Sequence, residues 1–208
     1  RVGPDTDWAA VAAGGAFSLA LKSDGTLWAW GEGSSGQLGS GTTQDHLEPV
    51  RIGSDNDWEL IAAGDRHSLG IRTDGTFWLW GENGSGQLGD QTAIDRLEPG
   101  PFSDATDWHL ASAGTGFTLA LKIDGSLWGW GSNTEGQVGN DESNVLTTGP
   151  TRIGTASDWV DVAAGDRHSL ALKSDGRLFA WGQNNAGQLG DDGAGDQALP
   201  VRLTTIDS

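Results

Sequence analysis

The stretch Leu27–Gly39 reads LWAWGEGSSGQLG, and the same pattern returns three times along the chain. The later copies are FWLWGENGSGQLG from Phe77, LWGWGSNTEGQVG from Leu127 and LFAWGQNNAGQLG from Leu178. An Asp-Trp pair precedes each copy, and successive pairs lie 50, 50 and 51 residues apart. A regular period of this length is typical of an array in which each repeat forms one supersecondary unit.

Within each repeat, the apolar pattern predicts short strands and no helix. In the first repeat it predicts strands at Trp8–Ala13, Phe17–Lys22 and Leu27–Trp30 and an edge strand at Val50–Ile52, with a tight turn at Ser23–Gly25. Tandem units of about fifty residues and four strands are typical of propeller blades. The predicted fold class is therefore all-β, a β-propeller built of four-stranded antiparallel blades.

The number of blades in the complete ring stays open at this level. Four repeats make either a closed four-bladed ring or an arc of a larger ring, completed by self-association or by further repeats. We expect one propeller domain over residues 1–208, with repeats at about 1–50, 51–100, 101–150 and 151–208. Phe17 and Phe117 alternate with His67 and His168 at one repeat position, which favours an even number of blades.

Composition and charge narrow the possible partners. The 208 residues include 12 Lys and Arg against 29 Asp and Glu, which gives a net charge of −17. Such a surface repels phosphate backbones and anionic headgroups, so neither nucleic acid nor membrane is expected as a partner. The chain has no cysteine, which excludes disulfides and thiolate chemistry. We take this absence and the near-identical repeats to favour a bacterial, extracellular or cell-surface origin.

The first copy of the repeat also contains a dinucleotide-like motif, because Gly31, Gly33 and Gly36 spell GxGxxG. The other three copies have Asn at the middle position, and Asn shares with Gly a tolerance for left-handed backbone. No helical pattern follows the motif, although a true dinucleotide site opens a helix. The motif therefore predicts a turn, and no cofactor is expected.

Two further clusters contain residue types that are used in catalysis or metal binding. Asp65–Ser68 holds Asp, His and Ser, but successive strand residues point to opposite faces and cannot act on one substrate atom. We interpret His67 and His168 as structural histidines that bond to neighbouring backbone, and we expect no enzymatic activity. The acidic run Asp191, Asp192 and Asp196 is a calcium candidate that lacks EF-hand spacing, so no metal is expected.

Most of the tryptophans are predicted to be structural, because large aromatic side chains usually pack in cores and interfaces. The residues assigned to packing between blades are Trp28, Trp30, Trp78, Trp80, Trp128, Trp130 and Trp181.

The joint pattern of Ala-Gly, Ser/Thr-Leu, Asp-Gly, Trp-Gly and Gly-Gln-Leu-Gly resembles the repeat of the regulator of chromosome condensation (RCC1-like) family over the whole chain. The resemblance implies a ring that binds other proteins; family members include an exchange factor for a small GTPase, a plant ultraviolet photoreceptor and a bacterial β-lactamase inhibitor. The exchange factor acts through an insertion for which the uniform spacing leaves no room. The photoreceptor's Gly-Trp-Arg-His-Thr is matched here by Gly64–Ser68 and Gly165–Ser169, where Asp replaces the chromophore.

The predicted function is a non-enzymatic protein-binding scaffold that uses variable loops on one face of the propeller, with a partner that has a basic surface. A carbohydrate-binding, lectin-like propeller is the first alternative, and the second is a fragment of a larger repeat protein whose main contact is another copy of itself. A homodimer would complete a larger ring. The candidate partner-binding residues are Asp45, His46, Asp65, Arg66, Asp95, Arg96, Asp141, Glu142, Asp166, Arg167, Asp191 and Asp192.

Overall fold

The computed structural model describes residues 5–143, 145–193 and 195–204, and these residues form sixteen strands and no helix. The ends of the first and last predicted repeats, residues 1–4 and 205–208, lie outside this range. The strands form four separate four-stranded sheets, each an antiparallel meander in chain order. No helix in the described ranges has the length and apolar character needed to cross a bilayer.

Each sheet is one blade, and the four blades repeat the same strand pattern. Blade 1 comprises β1 (Trp8–Ala13), β2 (Phe17–Lys22), β3 (Leu27–Gly31) and β4 (His46–Ile52). Blade 2 comprises β5 (Trp58–Ala63), β6 (His67–Arg72), β7 (Phe77–Gly81) and β8 (Arg96–Pro101). Blade 3 comprises β9 (Trp108–Ala113), β10 (Phe117–Lys122), β11 (Leu127–Gly131) and β12 (Thr147–Arg152). Blade 4 comprises β13 (Trp159–Ala164), β14 (His168–Lys173), β15 (Leu178–Gly182) and β16 (Gln197–Arg202).

The fourth strand of blade 1 is longer than its apolar pattern predicted. The sequence indicated Val50–Ile52, whereas the strand begins at His46 and continues through the exposed Leu47. A register shift in the pairing with β3 lets His46 lie opposite Gly31, whose φ of 102° favours glycine. The extension depends on this irregularity, which alternation of apolar residues does not reveal.

The hydrophobic core lies between the blades rather than within one of them. Leu19 and Leu27 of blade 1 share a buried cluster with Trp58, Ile61 and Trp80 of blade 2. Equivalent clusters join blade 2 to blade 3 and blade 3 to blade 4. A single blade therefore cannot bury its own apolar faces, which is the general property of stacked repeats.

The blades are arranged as an arc in which each blade packs on the next. The first strands of consecutive blades contact one another, which places them innermost, and the fourth strands are outermost. Among the described residues, blade 4 does not pack on blade 1 in the way that consecutive blades pack. The described residues therefore form an open arc of four blades and not a closed four-bladed ring.

Candidate functional site: an acidic loop face

One rim of the arc carries the turns that join the first and second strands, the loops that join the third and fourth strands, and the first residue of each fourth strand. We name this rim the loop face. In the described residues it comprises 14–16, 32–46, 64–66, 82–96, 114–116, 132–143, 145–147, 165–167, 183–193 and 195–197. These segments share one rim because strand direction reverses at each step of an antiparallel meander.

Negative charge is concentrated on the loop face. It holds thirteen carboxylates and three arginines, for a net charge of −10. The rest of the described chain holds fifteen carboxylates and eight Lys or Arg side chains, for a net charge of −7. The carboxylates of the loop face are Glu32, Asp45, Asp65, Glu82, Asp90, Asp95, Glu135, Asp141, Glu142, Asp166, Asp191, Asp192 and Asp196.

The cations of the opposite rim are held in place by the blades themselves. The Nζ of Lys22 lies 5.0 Å from the ring of Trp8 and 4.9 Å from that of Trp28, and 2.8 Å from a carboxylate oxygen of Asp5. Arg72, Lys122 and Lys173 occupy the equivalent places between two aromatic rings; these contacts are cation–π interactions combined with ion pairs. These four cations are therefore each paired with carboxylates next to their own blade.

All twelve residues that the sequence singled out for partner binding lie on the loop face, but they differ in how free their side chains are. Asp65 and Asp166 are exposed, and their carboxylates make no hydrogen bond or ion pair to any described residue. The Oδ1 atoms of Asp45 and Asp95 instead accept bonds from the backbone N–H groups of Gly33 and Asn83, at 2.9 and 2.8 Å. These two carboxylates fix the shape of their own loops.

Hydrogen bonds from one asparagine side chain hold the longer loop in blade 2 and, in the same way, in blade 4. The Nδ2 of Asn83 donates to Asp90 Oδ1 at 3.0 Å, and its Oδ1 accepts the N–H of Leu88 at 3.0 Å. Asn184 makes the same pair of contacts in blade 4, with Asp191 at 2.8 Å. A backbone N–H from Gly193 holds the pKa of the Asp191 carboxyl below its usual value, against the opposing effect of partial burial. The loops are therefore preorganised.

The three arginines of the loop face are paired with carboxylates that the sequence analysis did not select. Arg96 lies 2.8 Å from Asp90 within its own loop. Arg66 reaches Glu32 of the preceding blade at 3.5 Å, and in the same way Arg167 reaches Glu135 at 3.4 Å. The sequence could have pointed to these carboxylates, because each lies in a loop between a predicted third and fourth strand.

The remaining sequence candidates on this face make other contacts. His46 is half-buried at the start of β4. Asp141 and Asp192 have positive φ angles of 64° and 60°, and the N–H of Asp141 donates to the carbonyl of Ala198 in the next blade at 3.1 Å. The Oε2 of Glu142 accepts a bond from Asn140 at 3.2 Å.

The calcium candidate does not form a ligand cluster. Asp191 Oδ1 accepts bonds from Asn184 and Gly193, and Asp196 Oδ1 accepts the N–H of Asn184 at 2.8 Å. Over residues 5–143, 145–193 and 195–204, no group of three His, Cys, Asp or Glu side chains is arranged to hold a metal ion. The acidic run is a structured loop whose carboxylates are used by its own amides.

The adjacent His67 and Ser68 of blade 2 bond to two different neighbouring blades. Ser68 Oγ donates to the Gln37 carbonyl of blade 1 at 2.7 Å, whereas His67 Nε2 lies 3.0 Å from Thr118 Oγ1 of blade 3. The Thr118 hydroxyl donates its own hydrogen to the Gln87 carbonyl, so it accepts from Nε2 and fixes the neutral Nε2–H form. Burial lowers the pKa of His67 to about 4. His67 is therefore buried and bonds to a side chain, whereas the sequence analysis expected a backbone partner.

None of the eleven tryptophans is fully exposed. The indoles of Trp80, Trp130 and Trp181 are wholly buried between blades. Trp28 and Trp78 are half-buried, and each is covered by the cation of its own blade. A sugar-binding platform needs an accessible aromatic face, and the loop face presents none among its described residues.

The chain is similar to RCC1-like proteins in both sequence and structure. Residues 2–208 match the family model of the RCC1-like domain. The chain superposes on human WBSCR16 with a TM-score of 0.87 and 26% identity, and on yeast RCC1 (Prp20), solved with Kap60 bound, with a TM-score of 0.86 and 25% identity. A segment of 45 residues, 22% of the chain, is 47% identical to the probable E3 ubiquitin-protein ligase HERC3 of Homo sapiens.

The chain is shorter than all three of these proteins. It covers 4% of HERC3, and the two superpositions use 97% and 98% of this chain but only 54% and 50% of the solved ones. The four blades therefore correspond to about half of each solved propeller chain.

Proposed function

The chain belongs to the family of RCC1-like domains, and on this premise we propose that it is a non-enzymatic scaffold that binds a protein partner through the loop face. The observation that carries the proposal is the net charge of −10 on one rim whose loops are held by their own side-chain hydrogen bonds. A partner with a basic surface complements this charge. Electrostatic steering of this kind raises the association rate and contributes to specificity.

Two properties of the described residues and one related structure support a binding role rather than a catalytic one. The His and Ser side chains of blade 2 bond to different neighbours and leave no nucleophile beside a base. The loops are held by side-chain bonds, which lowers the entropy lost when a partner binds. Yeast RCC1, which shares the fold, has been solved with the protein Kap60 bound.

Titration of a fluorescent Lys/Arg-rich peptide at low ionic strength tests the proposal. The double variant Asp65→Lys/Asp166→Lys removes two free carboxylates from the loop face. The double variant Glu59→Lys/Asp104→Lys makes the same change in net charge at exposed residues off this face. We expect the first to weaken binding about tenfold or more and the second to change it less than about twofold. Equal effects, or no binding of the peptide to the unaltered chain, would overturn the proposal.

We propose a second contact for the outer faces of blades 1 and 4, which bind another copy of the chain. The apolar residues that consecutive blades bury against each other remain open at these two ends. Open apolar ends of a repeat array are normally capped or associated. The solution mass of the chain, measured over a concentration series, tests this contact independently of peptide binding.

A further inference from the structure

The three junctions between consecutive blades share a plan but differ in their side chains. At each one, an indole N–H of the later blade donates to the backbone carbonyl of a glutamine in the earlier blade, as Trp80 does to Gln37 at 2.9 Å. The first and third junctions also contain an Arg–Glu pair, whereas the second contains the buried bond between His67 and Thr118. The outer groove of a junction, which lies between the fourth strands of its two blades, differs as well.

The outer groove between blades 1 and 2 contains a cavity of about 640 Å³, which we name the outer cavity. Blade 1 lines it with the loop residues Ser40, Thr42 and Gln44, and blade 2 lines it with Trp78 and Glu98. The three loop residues belong to the loop face, so the cavity begins at the edge of that face. A protein bound to the loop face is therefore within reach of the outer cavity.

The next junction shows which side chain the equivalent place accepts. In blade 2, Arg96 Nη2 donates to Asp90 Oδ2 at 2.8 Å, and Nη1 donates to the Pro101 carbonyl at 3.3 Å. The guanidinium passes over Gly100, since a Cβ built on that glycine would lie 2.8 Å from Nη1. An arginine of the protein itself therefore lies along this wall of the second groove.

Blade 1 has the same wall without the arginine. The residues equivalent to Arg96, Asp90, Gly100 and Pro101 are His46, Ser40, Val50 and Arg51, and all four line the outer cavity. His46 has a shorter side chain than arginine, and Ser40 has no carboxylate that could hold a cation. The place that blade 2 occupies with its own guanidinium is thus accessible in blade 1 to a side chain of another molecule.

The cations of the outer cavity are already bonded within the protein, whereas its glutamate is not. The Arg72 guanidinium is paired with Asp55, and Arg51 Nη2 donates to a backbone carbonyl of the following turn at 2.9 Å. The Glu98 carboxylate is exposed and makes no hydrogen bond or ion pair to any described residue. The cavity is therefore suited to a cationic side chain, which this carboxylate can hold through a charge-assisted hydrogen bond.

This carboxylate is particular to the first junction. Gly149 and Leu199 stand at the position of Glu98 in blades 3 and 4, so the following blade supplies no carboxylate there at the second and third junctions. The third groove also lacks the arginine, because Thr147 is the equivalent of Arg96. Only the first groove thus combines an accessible arginine-shaped place with a carboxylate from the following blade.

We propose that the outer cavity binds an arginine side chain of the basic partner that the loop face recruits. The guanidinium follows the course that Arg96 takes at the next junction, and it donates to the Glu98 carboxylate. The oxygens of Ser40, Thr42 and Gln44 are further acceptors at the loop end of the cavity. Arginine is preferred to lysine, because a planar guanidinium presents two parallel donors to one carboxylate and an ammonium does not. The inference rests on the proposed function and adds the residue type by which the partner is recognised.

Two variants test the cavity directly. His46→Arg/Ser40→Asp installs the arginine–aspartate pair of blade 2 in blade 1, so it fills the cavity from within and leaves the formal net charge at −17. Glu98→Gln removes the exposed carboxylate and keeps the shape of the side chain. Glu48→Gln is the matched control, because Glu48 is the equivalent exposed glutamate in the fourth strand of blade 1 and does not line the outer cavity.

N-acetyl-arginine amide is the probe, since a single residue cannot bridge the carboxylates of the loop face. NMR spectra of the ¹⁵N-labelled chain are recorded during its titration. We expect saturable shifts at the backbone N–H groups of Thr42 and Gln44 and at the Trp78 indole. Glu98→Gln should weaken the affinity at least about fivefold, and His46→Arg/Ser40→Asp should abolish the shifts. Glu48→Gln should change the affinity less than about twofold, and N-acetyl-lysine amide should bind the unaltered chain at least about fivefold more weakly.

Fluorescent peptides connect the cavity to the loop face. A peptide whose only cations are arginines should bind at least about fivefold more tightly than its lysine counterpart. His46→Arg/Ser40→Asp should remove this preference, whereas Asp65→Lys/Asp166→Lys should weaken the binding of both peptides.

The outcomes distinguish the cavity from the proposed function. If neither peptide binds but the arginine amide does, the loop-face proposal is overturned and the arginine site stands. Peptide binding that does not change with Glu98→Gln or with His46→Arg/Ser40→Asp overturns the arginine site and leaves the loop face standing. The arginine site is also overturned by equal affinity for the two amides, or by the absence of saturable shifts at about 10 mM arginine amide.

Discussion

His67 shows how a single buried residue can make the stability of the arc depend on pH. Its ring is fully buried, Nε2 donates to Thr118, and Nδ1 has no hydrogen-bond partner among the described residues. Protonation would add a second donor with nothing to receive it. Burial therefore lowers the pKa to about 4, from an ordinary value of 6.5.

The sign of the pH effect follows from this pKa. Between pH 6.5 and 4 the unfolded chain binds a proton at residue 67 and the native chain does not, so stability falls as the pH decreases through that window. The limit is about 3 kcal/mol. We expect His67→Phe, which installs the residue found in blades 1 and 3, to remove this part of the pH dependence. Urea unfolding of both proteins at pH 7 and pH 4.5 measures it, and identical losses of stability in both would contradict it.

At the scale of the structural element, the loops that follow the third strands differ in the residues that pack against them. Gly89 and Gly190 are equivalent, and both have a φ of 66°. A Cβ on Gly89 would lie 2.8 Å from the indole nitrogen of Trp130 and 2.7 Å from Phe102, whereas no described atom lies within 4 Å of one on Gly190. Both glycines thus adopt a positive φ that disfavours a side chain, but only Gly89 has other residues packed against it.

This pair separates backbone strain from junction packing. Gly89→Ala and Gly190→Ala both place an alanine at positive φ, but only the first forces Trp130 away from the Gln87 carbonyl. We expect Gly89→Ala to destabilise the monomer by about 1–3 kcal/mol more than Gly190→Ala. Thermal unfolding at concentrations too low for association provides the measurement. Equal losses would mean that the junction adjusts to the extra methyl group.

The strands were largely predictable from the sequence, whereas the loops were not. Trp8–Ala13 and Phe17–Lys22 are observed with the predicted bounds because both are short, largely apolar segments that end at Gly-containing turns. The start of β4 was missed because it depends on a register shift at Gly31. Asp45 stays a predicted partner-binding residue, and its carboxylate also accepts the N–H of Gly33, a bond across twelve residues that no local sequence pattern reports.

At the scale of the whole molecule, the period of the repeat predicted the blades but not the closure of the ring. Ring size depends on a small rotation between neighbouring blades, which accumulates over many contacts and has no signature in any one residue. The open ends became visible only when equivalent residues were compared in three dimensions, as for Trp30 and Trp80. The alternation of Phe17 and His67 was visible in the sequence, and the structure relates it to two kinds of junction.

The uneven distribution of charge makes a prediction for the molecule as a whole. The net charge is −17, and the loop face carries −10 of it with few internal pairs, so repulsion on that rim opposes folding. Raising NaCl from about 10 to 150 mM shortens the Debye length from about 30 to 8 Å and screens this repulsion. We expect the unfolding temperature to rise by a few degrees, on the scale of about 1 kcal/mol.

Asp65→Lys/Asp166→Lys, which carries less negative charge on the loop face, should show a smaller rise than Glu59→Lys/Asp104→Lys. A fall in unfolding temperature with salt would instead mean that the ion pairs of the opposite rim, such as Lys22 with Asp5, contribute more to stability than the repulsion costs.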